Sequence, residues 1–473
     1  ARSRDRLARV EHMSELLSLT ARQILAAYAD GSLSPRDYMQ AIVDRVEAVE
    51  PKVAALWLYR PEEALAEAEA ATERWAKGAP KGPLDGLPVT IKEMIATKGD
   101  PVPNGTAASN LTPAEDDAPA AARLREDGAI FFAKTTAPDF GMLSSGLSSF
   151  HKLSRNPWDL SQNPGGSSAG AGAAGAAGFG PVHMGTDIGG SIRIPAGWCG
   201  LFGFKATQGR VPVYPHFPGR CHGPMTRCVD DALVVMPSLA RPDWRDATSV
   251  PPETLDWNVP PATVRGKKLG LLLDAGCGLP VDKDVRAAIV AAAERFAAEG
   301  AEIVEIKPFM TQELLESLVS FWQARFWAKI SDMTPERRTR ILPFILEWAA
   351  GGKELDGAAV AVAFENTIAI RDAAARALHG FDAILSPVNP TSSFPAELAM
   401  PNNDPRHAME HIGFTMPWNM GDQPACSIHC GMTSTGIPVG LQIAANRFDD
   451  LGVLGLARAF EDWTGAITEW PDL

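Results

Sequence analysis

The chain has 473 residues, 45% hydrophobic and 21% charged, an ordinary balance for a globular protein with a large core. Its net charge of −13 disfavours nucleic acid and anionic lipid as partners, and no Lys/Arg cluster in the sequence offsets that field locally. No apolar run approaches the roughly 18 residues that a membrane-spanning helix needs.

The opening ARSRDRLARVEH is basic but short, and reads as a solvated tail rather than a targeting peptide. Residues 1–80 then read as a helical region. Residues 16–28 are amphipathic. Ser34-Pro35-Arg36-Asp37 is a helix start, with Ser as cap, Pro in the first turn and an acid three residues after the cap; the helix is expected to run to about Glu50. Residues 61–77, rich in Ala and Glu, give a third helix. From Gly86 short apolar runs alternate with helical stretches. Strands are expected at 87–91, 129–133, 182–185, 268–273, 382–386 and 440–444, and helices at 118–127, 167–178 and 284–299. This alternation predicts an α/β core with a buried sheet. Residues 309–348 are helical and aromatic. Phe321 with Trp322, and Phe326 with Trp327, cannot share one helix face, so the segment is either buried core or an apolar wall over a substrate channel. Length alone suggests about three domains at roughly 150 residues each. No linker and no repeat supports that division.

The chemistry concentrates in residues 163–207. Two Gly-Gly-Ser turns, Gly165-Gly166-Ser167 and Gly189-Gly190-Ser191, are separated by a small-residue helix and a short apolar run. The segment lacks the Gly-Lys-Ser/Thr ending of a phosphate loop and the G-x-S-x-G elbow of α/β-hydrolases. Consecutive amides of Ile188, Gly189, Gly190 and Ser191 can converge on an oxyanion. Asp187 and Arg193 flank the turn and are expected to brace it as a pair. His183 lies nearest for a Ser-His-Asp triad but reads as a packed strand residue. Lys92 ends the apolar run Gly86-Leu-Pro-Val-Thr-Ile-Lys92. Taken alone it is a strand-end lysine whose ammonium reaches water. Buried, it would lose its proton and become a base. Six cysteines match no zinc spacing and imply no oxidising compartment. The expectation is reduced thiols in a cytoplasmic chain with no metal and no cofactor.

These segments together resemble the amidase signature family. The resemblance is carried by Gly165-Gly166-Ser167-Ser168, by Gly185-Thr186-Asp187-Ile188-Gly189-Gly190-Ser191-Ile192-Arg193-Ile194-Pro195-Ala196 and by Cys199-Gly200-Leu201-Phe202-Gly203-Phe204-Lys205-Ala206-Thr207. It extends to Asp85-Gly86-Leu87-Pro88-Val89-Thr90-Ile91-Lys92-Glu93, Arg155-Asn156-Pro157-Trp158-Asp159 and Gly436-Ile437-Pro438-Val439-Gly440-Leu441-Gln442, covering the chain from about residue 20. It implies one α/β/α domain over 1–473 around a mixed, twisted sheet, with residues 81–210 as catalytic core and the aromatic helices of 305–350 near the pocket. It implies Ser191 as nucleophile, Ser167 as bridging serine after a cis peptide bond, and Lys92 as base. The supporting residues are then Ser168, Asp187 and Arg193.

Three stretches depart from the family pattern: 138–145, 150–154 and 211–228, the last carrying Tyr214, His216 and Phe217. Such loops border the pocket. Gly141, Met142, Met94, Tyr214 and Ile437 are the candidates for its lining. The aromatic helices, and the absence of a basic cluster in the sequence, predict a neutral, apolar amide or carbamate as small-molecule substrate. The position of the triad and the chain length look similar to urethanase-like bacterial members, with aryl acylamidases as neighbours. The alternatives are the amidase subunit of a tRNA-dependent amidotransferase, or a degenerate homologue that only binds amides. A monomer or homodimer is expected.

Overall fold

In the computed structural model, which describes residues 15–467 and 470–473, two of the first three expected helices open on a capping side chain. The basic N-terminal segment lies outside the described residues. Thr20 accepts from the Gln23 amide and opens helix Ala21–Asp30, so the stretch expected to be helical over 16–28 is interrupted there after a short turn at 15–18. Ser34 accepts from the Asp37 amide and opens helix Pro35–Val53, which continues past Glu50 through Pro51. The third helix is Pro61–Ala76.

One sheet of eleven strands runs through the molecule. The strands are β1 (Leu56–Trp57), β2 (Pro88–Lys92), β3 (Ile130–Thr135), β4 (Val182–Asp187), β5 (Phe202–Lys205), β6 (Cys221–Thr226), β7 (Lys268–Leu271), β8 (Glu302–Glu305), β9 (Ala383–Pro387), β10 (Ala425–Met432) and β11 (Pro438–Ala445). Their order is β1-β3-β2-β4-β6-β5-β10-β11-β9-β7-β8. The sheet is mixed. β2 is parallel to β3 and β4, while β4 is antiparallel to β6 and β10 antiparallel to β5 and β11. Helices cover it, which gives the expected α/β class. Helix Ala169–Ala177 is buried at every position, and its alanines and glycines leave room for that.

Strands β1, β5, β6, β8 and β10 are not among the strands expected from the sequence. β6 reads Cys-His-Gly-Pro-Met-Thr inside a stretch with the composition of a loop. Gly and Pro are depleted in strands, so local propensity points the wrong way, and pairing with β4 and β5 overrides it.

The aromatic segment forms helices Gln312–Ser331, Pro335–Arg338 and Pro343–Ala350, and with Met416 and Met420 it makes a second apolar cluster apart from the sheet core. Its side chains divide between two faces. Trp322 and Phe326 are buried, whereas Phe321 is half-buried and stacks on Phe217 with ring centroids 6.5 Å apart.

Candidate active site

Parallel pairing of β2 with β4 sets Ile91 beside Met184, so Lys92 closes its strand next to the end of β4. Lys92 is fully buried, with Nζ 2.8 Å from Ser167 Oγ and 2.7 Å from Thr186 Oγ1. Burial pushes its pKa down to about 7; Glu93 and Asp187 oppose the shift and Arg220 adds to it. Near neutrality a large fraction of this amine is therefore uncharged. Thr186 is a site residue that the motifs alone do not single out. Its signal is the hydroxyl immediately before Asp187, on the strand that the lysine strand pairs with.

The Gly166–Ser167 peptide is cis, as the family resemblance implies. Gly166 is required by close approach: a Cβ there would lie 2.5 Å from the Ser145 amide nitrogen and 2.7 Å from the Leu143 carbonyl oxygen. Ser168 pins the neighbouring strand. Its hydroxyl donates to the Thr186 carbonyl and accepts from the Thr186 amide, each at 3.2 Å. The Ser168 amide donates to the Ser191 carbonyl at 3.3 Å, so Ser191 stands beside the Ser167–Ser168 turn. Ser191 is partly open to solvent, and among the described residues its hydroxyl takes no hydrogen bond.

The turn between β4 and helix Arg193–Cys199 is organised by Asp187. Its carboxylate accepts from the Gly190 amide at 2.8 Å, the Ile192 amide at 3.1 Å, Arg193 Nε and Nη2 at 3.0 and 2.9 Å, and Asn419 Nδ2 at 2.8 Å. Burial alone would raise this carboxyl. The Arg193 charge and hydrogen bonds, with Asn419, outweigh it and hold the group well below the usual range. Arg193 also donates to the Thr415 carbonyl, Gln442 Oε1 and Asn419 Oδ1. The expected bracing pair is thus a buried network. It corrects the oxyanion reading at one position, because the Gly190 amide is committed to Asp187. The amides of Ile188, Gly189 and Ser191 have no acceptor among the described residues. Gly190 has φ +120°, and a Cβ there would strike Thr415 Oγ1 at 2.5 Å.

The expected lining residues separate. A Cβ on Gly141 would lie 3.0 Å from Met94 Sδ and 3.3 Å from Ser167 Oγ, so Gly141 and Met94 border the serine. Met142 packs into the second apolar cluster. Tyr214 is 54% exposed, and the ring of its loop that meets the aromatic helices is Phe217. Ile437 does not line the site as expected. Ala425 pairs with Lys205 at the Asp187 end of the sheet, and β10 runs away from that end to the hairpin carrying Ile437. The aromatic helix does reach the site: a Cβ on Gly189 would lie 3.3 Å from Trp322 Cη2. A cavity of about 330 Å³ lined by Arg60, Asp100, Asp117, Arg125 and Lys134 holds none of the triad, and its arginines pair with its own aspartates. Among the described residues no group of three or more His, Cys, Asp or Glu is placed to hold a metal, and no helix is long and apolar enough to cross a membrane.

Residues 37–454 match the family model described as Amidase. The chain belongs to the amidase signature family. As an amidase-family enzyme it acts on carbon–nitrogen bonds. It is 35% identical to a glutamyl-tRNA(Gln) amidotransferase subunit of Geobacter metallireducens, over 96% of this chain and 99% of that one. It is 31% identical to an acylamidase of Rhodococcus erythropolis, over 96% of each. Among solved structures it resembles a bacterial aryl acylamidase of the amidase signature family, with TM-score 0.87 and 27% identity over 94% of this chain and 96% of that one. The glutamyl-tRNA(Gln) amidotransferase subunit from Thermotoga maritima gives TM-score 0.77 and 26% identity over 97% and 98%.

Proposed function

We propose that this amidase hydrolyses an amide or carbamate whose body is apolar, aryl or alkyl, through an acyl-enzyme on Ser191. The observation that carries the mechanism is the buried Lys92 amine 2.8 Å from Ser167 Oγ. Neutral Lys92 accepts the Ser167 proton while donating to Thr186, and Ser167 takes the proton of Ser191. Ser191 Oγ bonds to the substrate carbonyl carbon, and the oxyanion is held by the amides of Ile188, Gly189 and Ser191. The proton returns through Ser167 to the leaving nitrogen as the C–N bond breaks. Water then attacks the acyl-serine and restores Ser191. The intact contact between Lys92 and Ser167 argues against a degenerate, binding-only homologue.

Met94 and Trp322 beside the serine turns support an apolar substrate body, and the acylamidase-like structural match supports the same reading. The 35% identity to the Geobacter amidotransferase protein supports a second reading, an amidotransferase component that works with protein partners and tRNA. Turnover by the purified chain alone separates the two. A sulfonyl fluoride is expected to label Ser191, and a panel of anilides, fatty amides and aryl carbamates is expected to include substrates. Labelling of another serine with Ser191 untouched would refute the assignment.

A further inference from the structure

No basic cluster near the pocket is apparent in the sequence; the fold assembles one. Arg220 immediately precedes β6, whose Cys221 pairs with Asp187, so the register continued by one step sets Arg220 across from Ile188 of the oxyanion turn. Arg325 and Lys329 follow Trp322 by three and seven residues on helix Gln312–Ser331, the spacing of one helix face. Trp322 touches Gly189, and three residues of α-helix advance about 4.5 Å along the axis. Arg325 therefore sits one turn from the contact with the catalytic turn. The two guanidinium groups share one ring: Arg325 Cζ lies 3.6 Å and Arg220 Cζ 5.6 Å from the Phe217 centroid.

None of the three cations has an ion-pair partner among the described residues. The Arg220 side chain makes one hydrogen bond, to the Pro215 carbonyl at 3.2 Å, and the side chains of Arg325 and Lys329 make none among the described residues. This occurs in a chain with 57 acidic and 44 basic residues, where a carboxylate partner is the easier outcome. Stacking on Phe217 accounts for one face of Arg325 and leaves its planar fork of N–H donors unengaged. Burial and then Arg220 push the Arg325 pKa down to about 10, and Lys329 is lowered by partial burial and then by the two arginines. Three like charges thus repel one another beside the reactive centre, and a bound anion would relieve that repulsion.

We propose that Arg220, Arg325 and Lys329 form a carboxylate subsite, so that the preferred substrate of the amidase is an amide or carbamate with an apolar body ending in an anionic group. A planar carboxylate matches the guanidinium fork in a bidentate way. This rests on the hydrolytic reading above and replaces the expectation of a neutral substrate.

The test uses matched pairs: butyranilide with succinanilate, and acetanilide with 4-acetamidobenzoate. In at least one pair the carboxylate is expected to have the higher kcat/KM, by about tenfold or more at low salt, with the advantage shrinking as salt is raised. Arg325→Gln and Lys329→Gln are each expected to lower the carboxylate-to-neutral ratio of kcat/KM several-fold. The wild-type ratio and its salt dependence decide even where a variant does not fold. Faster turnover of the neutral member in both pairs, or a ratio that neither salt nor Arg325→Gln changes, overturns the subsite. If the sulfonyl fluoride labels Ser191 while the ratio stays flat, only the subsite fails. If Ser191→Ala still turns over these anilides, the acyl-enzyme on Ser191 fails; if the wild-type chain alone turns over neither member of either pair, the hydrolytic reading fails and the subsite with it.

Discussion

Arg193 and Arg325 both lie near the turn that carries Ser191 and are treated in opposite ways. Arg193 is fully buried and spends its guanidinium on Asp187, Asn419, Gln442 and the Thr415 carbonyl. Arg325 is half-buried, and its guanidinium makes no hydrogen bond among the described residues. A buried charge is tolerated only when paired and hydrogen-bonded, so the Arg193 network is bound to the fold itself. A cation that stacks on aromatic rings but has no ion pair, one helical turn from the contact with the catalytic turn, keeps its N–H donors free to meet a ligand. Changes on the Arg193 side should therefore affect chemistry or folding whatever the substrate is. Changes on the Arg325 side should affect substrate choice and leave the fold in place.

The largest effect is expected at the nucleophile. Ser191→Ala should lower kcat by at least about a thousandfold with every substrate, with an unchanged far-ultraviolet spectrum. A selective loss with one substrate class would put Ser191 on the wrong side of the comparison. Lys92→Met should come close to it in rate, since no other base contacts Ser167 among the described residues. The neutral amine is the active form, so wild-type kcat/KM should rise from acid and level off above about pH 7. The same depressed pKa means that the unfolded chain binds a proton that the fold releases. Stability should therefore rise with pH from about 7 toward the ordinary lysine range. A rate profile that is flat down to acid pH would remove Lys92 from the base role.

Arg193→Met leaves the Asp187 carboxylate buried without its cation and should cost about 3–5 kcal/mol of stability, read by chemical denaturation. A loss below about 1 kcal/mol would erase the distinction between the two arginines. Thr186→Val keeps the shape but removes one partner of Lys92 Nζ. A roughly tenfold fall in kcat is expected, about the size of one net hydrogen bond, together with a displaced pH profile. A fall in kcat with an unmoved profile would make Thr186 a packing residue only.

The two sides are not equally legible in the sequence. Ser167, Ser168, Asp187, Ser191 and Arg193 sit in motifs whose glycines announce tight turns, whereas Lys92 reads on its own as a strand-end lysine and is singled out by the family resemblance; the fold brings them together. Thr186 does not stand out, although it sits inside the motif, because its partner Lys92 comes from a neighbouring strand. The Gly190 amide is misassigned from sequence because the reach of the Asp187 carboxylate depends on the curl of the turn. The cationic group is invisible for a different reason. Arg220 and Arg325 are 5.6 and 3.6 Å from one ring, yet they belong to a strand start and a helix far apart in the chain. Composition misleads here as well, since a net charge of −13 says nothing about where the positive charges gather. Ile437 fails for want of strand register: a motif match near a late strand does not say which end of the sheet it faces.

The smallest expected effect is the sharpest test of the comparison. Arg325→Gln removes a stack on Phe217, a contribution of about 0.5–1 kcal/mol at a partly exposed site. It also removes the repulsion between Arg325 and Arg220, which acts in the opposite direction. The two effects oppose each other, so the loss of stability should stay below about 1 kcal/mol. Salt gives the sign. Screening weakens like-charge repulsion, so added salt should stabilise the wild type more than Arg325→Gln. If the variant instead loses several kcal/mol, the guanidinium is part of the scaffold, as Arg193 is. An unpartnered cation would then be no guide to where this amidase meets its substrate.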